Sequence, residues 1–309
     1  MKIRKRVDKS KMCLICEGKD ISREVKLTIC YNAEHIPEIP SGITTLICYS
    51  INCLKLPKLP EGLNKLKVTS YYISELPELP TSLRELHCLN CRFLRGLPKL
   101  PERLTHLTLY NFISLELPKL PDSLINLDCS ICGITQLPLL PAGLVVLHCF
   151  HNFLTHLPEL PNGLEVLKCS YNKLTYLPTL PVSLRVLHCI ACDLNCLPTL
   201  PNLLEYLGCS KCPLLRLPEL PNNLYELDCS HCSFLTSLPE IPINCEYTNQ
   251  YGCPWVDSPQ NLSFLNNLHS LNTIVIFLRK RAFYRRVKKY KALYDTGFYK
   301  DIIDLILSY

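Results

Sequence analysis

The sequence predicts a repeat solenoid with a parallel β-sheet along its concave side, an extended, polyproline-like convex side and a short α-helical C-terminal tail. Two observations carry this prediction. A Leu/Ile-Pro-x-Leu/Ile-Pro unit recurs eleven times, beginning at Ile36, Leu56, Leu76, Leu97, Leu117, Leu137, Leu157, Leu177, Leu197, Leu217 and Leu238. Its step is 20 residues, with two steps of 21, and the copies hold 22 of the 25 prolines in a chain of 309 residues. Eleven copies at one period exclude chance, and a period this short means a stack of small supersecondary units.

Aligned on that unit, the consensus is L-x-x-L-x-C-x-x-N/C-x-L-x-x-L-P-x-L-P-x-x, as in Leu164-Glu165-Val166-Leu167-Lys168-Cys169-Ser170-Tyr171-Asn172-Lys173-Leu174. This is the spacing of a leucine-rich repeat, and the predicted architecture is a leucine-rich-repeat horseshoe over residues 25–242. Leu167 and Cys169 lie two apart and point to one side of a short strand, while Val166, Lys168 and Ser170 point to the other. Successive copies then build the sheet. Pro178 and Pro181 fix φ and remove two amide donors, so the return path cannot be a regular helix and runs extended. One copy cannot bury its leucines, but a stack can.

The formal net charge of +6 is unevenly spread. Residues 1–24 form a basic N-terminal segment and cap, with Lys2, Arg4, Lys5, Arg6, Lys9 and Lys11 against Asp8 near its start. Residues 243–260, with Cys245, Cys253 and the sole tryptophan, Trp255, read as a cover for the last open sheet edge. Residues 261–309 read as a basic helical tail, in which Leu262, Leu265, Leu268, Leu271 and Val275 recur at threes and fours. Its cations are Arg279, Lys280, Arg281, Arg285, Arg286, Lys288 and Lys289. They leave open a solvated capping helix, nucleic acid, an anionic membrane or a helix-groove partner. Within the tail, Ile276, Arg281 and Arg286 fall at the spacing of calmodulin-type ligands, but Phe277 and Ala282 replace the glutamine and glycine of that pattern.

Asp8, Lys9, Ser10 and Lys11 follow the basic start where a secretory leader would have an apolar run, so no signal peptide is expected. The apolar run Ile274 to Leu278 is far shorter than the ~20 residues of a membrane span. The expectation is an intracellular, cytoplasmic monomer.

Twenty cysteines, many in C-x-x-C pairs, would by themselves suggest zinc or redox chemistry. The repeat assigns them to packing. The first cysteine of a pair takes a slot held by Val68 and Leu109 in other copies, and the second takes the slot of Asn152 and Asn172. A free thiol suits both, as a small buried side chain with a weak donor. Disulfides between strands are not excluded by distance, but a row of reduced thiols fits a reducing compartment better. Cys13 and Cys16 lie outside the repeats and lack a second pair at zinc-ribbon spacing, so no metal is assigned.

Function is expected on the outward strand face. From the sixth copy onward the slots around the inward Leu and Cys carry Val146, Val166, Val186 and Tyr206, then His148, Lys168 and His188, then Phe150 and Ile190, with Tyr171 beside them. An apolar and aromatic band containing a lysine and histidines is suited to contact with a macromolecular partner, most simply a protein. The plainer alternative is that valine favours strands wherever it falls. No Ser/His/acid constellation recurs and no G-x-x-x-x-G-K-S/T loop occurs, so the chain is read as no enzyme, with no cofactor and no metal.

The L-P-x-L-P-x-x-L-x-x-L-x-C repeat, over residues 25–242, resembles the LPX class of leucine-rich repeats. That class is known from type III secretion effectors of the YopM and IpaH kind and from repeat proteins of large DNA viruses. The resemblance implies an interaction scaffold acting in a host cell, with a ubiquitin-ligase component as the alternative. Ligase effectors carry a large domain after the repeats, whereas 67 residues follow Pro242 here. The effectors usually have Val at the Cys slot, and the cysteine-rich ladder with a short basic tail resembles the viral proteins more.

Overall fold

The computed structural model describes residues 24–29, 36, 38–49 and 54–254, all within the first of the chain's two compact units, Met1–Pro254. Cys13, Cys16 and the tail cations Arg279, Lys280, Arg281, Arg285, Arg286, Lys288 and Lys289 lie outside the described residues. The described residues form a leucine-rich-repeat solenoid of twelve strands in one sheet, ordered strictly as in the chain. They are β1 (Lys26–Ile29), β2 (Thr45–Tyr49), β3 (Lys65–Thr69), β4 (Glu85–Leu89), β5 (His106–Tyr110), β6 (Asn126–Asp128), β7 (Val146–His148), β8 (Val166–Lys168), β9 (Val186–His188), β10 (Tyr206–Gly208), β11 (Glu226–Asp228) and β12 (Tyr247–Asn249). Neighbours pair in parallel with like slots in register, as in Val146↔Val166↔Val186↔Tyr206. The segment 243–260, read as an end cover, supplies β12 against β11 and so extends the sheet beyond Pro242.

The proline arc carries neither helix nor strand. Each arc closes on a turn that its second proline sets up, because proline lacks a donor but keeps its carbonyl. The carbonyls of Pro141, Pro161 and Pro181 accept the N–H of Leu144, Leu164 and Leu184 at 3.0–3.1 Å. The chain then enters the next strand through two successive amides that share one carbonyl of the preceding copy, as Glu165 and Val166 share that of Val145.

Between sheet and arc lies a single continuous core. In one copy Leu164, Leu167, Cys169, Asn172 and Leu174 are all buried, and the same slots are buried in copy after copy. Fully burying one leucine contributes roughly 2 kcal/mol, so the stack gains with each turn added.

Candidate partner-binding face

The strand face is held in shape by the turn behind each strand. Asn152 Oδ1 accepts the N–H groups of Cys132 and Ile134 at 3.0 and 3.1 Å, and its Nδ2 donates to the carbonyls of Cys129 and Cys149 at 2.9 and 3.0 Å. Asn172 does the same for Leu154 N–H and for the carbonyls of Cys149 and Cys169. Where the slot holds cysteine, the thiol takes over the amide's donor bond. Cys132, Cys192, Cys212 and Cys232 donate to the carbonyls of Leu109, Cys169, Cys189 and Cys209 at 3.1–3.4 Å. Each acceptor lies 23 residues back, the offset that also links Asn152 to Cys129 and Asn172 to Cys149. The acceptor role carries over too, since Cys192 N–H donates to Cys212 Sγ at 3.4 Å.

Burial raises the thiol pKa values of Cys132, Cys192 and Cys212, to about 12 at Cys192, and a hydrogen bond with Cys253 together with burial raises that of Cys232, which keeps these sulfurs protonated and able to donate. All sixteen described cysteines are free. Among the described residues no group of three or more His, Cys, Asp or Glu side chains is placed to hold a metal ion.

One step before that slot the chain turns through the left-handed region. Asn90, Asn111, Ile131, His151, Tyr171, Ala191, Lys211 and His231 all have φ between 52° and 61°. Asparagine, and to a lesser degree histidine, tolerates this region, whereas Ile131, Tyr171, Ala191 and Lys211 are types that rarely enter it. This row was not legible as strain, because His151 and Tyr171 read equally well as surface side chains. The bend aims them outward, where their rings stack at 4.1 Å and 7°, and Phe150 meets His151 edge-on at 5.9 Å.

The ten residues of the band lie together on β7–β10 and the turns that follow. Tyr171 is exposed. Val146, Phe150, Lys168, Val186, His188, Ile190 and Tyr206 are half-buried, and Val166 and His148 are buried at 7% and 3% exposure. The face is therefore a close-packed floor rather than a row of free side chains, because strands one ladder spacing apart press like slots together. His148 Nδ1 lies 3.9 Å from Asp128 Oδ2. Burial lowers its pKa, with Asp128 opposing. Burial, with the charge of Lys168 and then of His148 added, takes His188 down to about 4. Burial also lowers the pKa of Lys168, against the pull of Asp128. Two neutral imidazoles thus flank a desolvated ammonium at neutral pH.

Gly208 belongs to the same floor, and composition alone gave it no role. A Cβ there would lie 3.3 Å from His188 Cδ2 and 3.5 Å from Ile190 Cδ1, so its absence gives these two side chains room to lean toward β10. The signal was available as a glycine inside a strand, which marks close approach. A shallow cavity of about 380 Å³ lies beside this floor, lined by Ala191, Asp193, Lys211, His231 and Phe234 among others.

The N-terminal part of the face is built differently. Lys65 pairs with Glu85 at 2.6 Å, and His87 contacts Glu85 at 3.3 Å and Thr108 at 3.0 Å. The bond from His87, aided by Lys65 and opposed by burial, holds Glu85 at about 2. No helix among the described residues is long and apolar enough to cross a membrane.

No family model matches the sequence, and a search of curated proteins found no match. Solved leucine-rich-repeat structures do resemble it. YopM of Yersinia enterocolitica is 28% identical over 74% of this chain and 65% of its own, with a TM-score of 0.47. The leucine-rich-repeat domain of a Shigella effector is 29% identical over 49% of this chain and 69% of its own, with a TM-score of 0.40. The circular leucine-rich-repeat protein CroV588 is 23% identical over 73% of this chain and 43% of its own, with a TM-score of 0.48. The present chain thus spans less than two thirds of YopM and of CroV588, and what it shares with these structures is the leucine-rich-repeat fold.

Proposed function

We propose that this chain is a non-enzymatic interaction protein that holds a protein partner on the concave face of its solenoid, through Val146, His148, Phe150, Val166, Lys168, Tyr171, Val186, His188, Ile190 and Tyr206. The observation that carries the reading is the in-register row Val146, Val166 and Val186 together with half-buried Phe150 and Ile190 around Lys168. The aromatic side chains of this face, Phe150, Tyr171 and Tyr206, are of the kind enriched at interfaces between proteins. A reducing, intracellular setting of host-effector type suits it, because the thiols serve as donors to backbone carbonyls. Oxidation of Cys132 would leave the Leu109 carbonyl without the sulfhydryl donor it now has.

The test is a paired substitution, Phe150→Glu with Ile190→Glu, at half-buried sites where a charge changes the face without opening the core. Affinity purification from the native cell recovers the partner with the wild-type chain and loses it with the variant, both melting alike. Recovery of the same proteins by both chains assigns the partner to another surface. Val166 is too buried for this purpose, since an acid there tests folding as much as binding.

A further inference from the structure

We propose that the C-terminal end of the strand face, at Glu226, receives one arginine side chain of a protein partner. This rests on the concave-face reading above and names a side chain that the partner must carry.

The seat is set by register. Glu226 on β11 stands between Tyr206 on β10 and Tyr247 on β12. Asp228, two residues on and so on the same side of the strand, stands between Gly208 and Asn249. Each neighbour is one ladder spacing away, about 4.8 Å. Tyr225, which precedes β11, meets the Tyr206 ring edge-on at 5.9 Å and 62°. The charges of Glu226 and Asp228 add to burial in raising the pKa of Tyr247, so its phenol lies near both acids. Two carboxylates thus stand in a frame of three tyrosines.

Neither acid is matched by a cation. Among the described residues the Glu226 carboxylate takes part in no hydrogen bond or ion pair. Asp228 accepts from the N–H and the hydroxyl of Ser230 at 3.1 and 2.8 Å, both on Oδ1, which leaves Oδ2 to a visitor. The basic groups nearby are engaged elsewhere. Arg185 pairs with Glu205 at 2.7 Å, Lys211 lines the cleft that holds Asp193, and His188 is neutral at pH 7. Burial and then the charge of Asp228 raise the pKa of Glu226, so the fold holds two like charges at a cost. An arriving cation offsets that cost, and an arriving acid adds to it.

Carboxylate beside tyrosine selects arginine over lysine. A guanidinium is planar, presents five N–H donors and lies against an aromatic ring while its edge bonds a carboxylate, whereas an ammonium is a compact and more strongly hydrated charge. A divalent ion needs more ligands than these two acids, and no third metal-ligating group joins them among the described residues.

Selection of a displayed random 12-residue peptide library on the full chain, followed by binding measurements on the recovered peptides, tests the seat. The peptides should share an arginine whose replacement by lysine weakens binding about fivefold. Glu226→Gln should weaken them about tenfold, at an unchanged or higher melting temperature because it removes a charge without a partner in the fold. Tyr247→Ala, at a site 36% exposed, should weaken them about fivefold while Tyr247→Phe does not, since the ring supplies the contact. A selection without a shared arginine, lysine accepted at equal affinity, or equal binding to Glu226→Gln each overturns the seat. If the recovered peptides are then lost by the Phe150→Glu, Ile190→Glu chain, concave docking stands without the seat. If they bind that chain as well as wild type, the concave reading fails with it.

Discussion

Strands β2 to β5 are five residues long and carry Lys65, Glu85, His87 and His106 outward, whereas β6 to β11 are three residues long and, on β7 to β9, carry the valines Val146, Val166 and Val186. In the first half the polar groups satisfy one another across strands, through Lys65–Glu85 and the Glu85–His87–Thr108 chain. A partner would have to displace bonds already made. The second half secures its turns behind the sheet, through Asn152, Asn172 and the thiols, and its outward side on β7–β9 is richer in apolar side chains, with His148 beside Asp128 and Arg185 paired with Glu205. The lesson is one of location: where backbone and turn are secured from inside, the outer slots are free to be chosen for contact.

The largest test of that contrast is Asn152→Leu. It takes the side-chain partner from the N–H of Cys132 and Ile134 and from the carbonyl of Cys129, all buried, while the Cys149 carbonyl keeps the bond from Asn172. Several buried groups left without bonds cost about 4 kcal/mol or more in total. Asn152→Cys should recover about half of that, because the thiol makes the same bond to the residue 23 positions earlier in four other copies. Urea unfolding gives the ordering, and faster amide exchange at Cys132 and Ile134 locates it. Equal losses for Leu and Cys would break the equivalence of amide and thiol.

Much of this was legible in the sequence. The slot shared by Asn172 and Cys192 shows in the alignment of copies, and so does the inward row of Leu167 and Cys169, since both follow from the 20-residue period. The outward face was read less completely, for a physical reason. Periodicity says which way His148 points, but not that the ladder spacing buries it to 3% or that it meets Asp128 from the next strand. Nor does spacing reveal which of Lys65, Glu85 and His87 are neighbours until the register is known.

Acid titration separates the buried histidines from Glu85 by pH. His148 and His188 are held neutral in the fold, with pKa values below the 6.5 of free histidine, and His188 near 4. The unfolded chain therefore binds more protons once the pH drops below 6.5, and stability falls between 6.5 and about 4. For His188 the loss is on the order of 2 kcal/mol. Glu85 contributes in a lower window, because its folded pKa near 2 lies below the unfolded 4.5, so its share is present above 4.5 and is lost on the way down to 2. Thermal melting from pH 7 to pH 3 should show His188→Gln flattening the upper window and Glu85→Gln the lower. Stability that rose from pH 7 to pH 5 would contradict the burial assigned to the histidines.

The smallest expected effect concerns the left-handed row. In the first half this position is held by Asn90 and Asn111, whose side chains bond each other at 2.7 Å, and asparagine adopts φ near 60° at little cost. In the second half it is held by Ile131, His151, Tyr171, Ala191, Lys211 and His231. Ile131 is the worst suited, because its branched Cβ crowds the carbonyl at φ 56°. Its N–H still donates to the Phe150 carbonyl at 3.0 Å, a bond that asparagine would keep. Ile131→Asn should therefore stabilise the chain by about 1 kcal/mol, read as a higher urea midpoint at unchanged slope. A loss instead would mean that the half-buried isoleucine packs its neighbours by more than the strain it carries, and that the second half selects this row for contact among its own side chains.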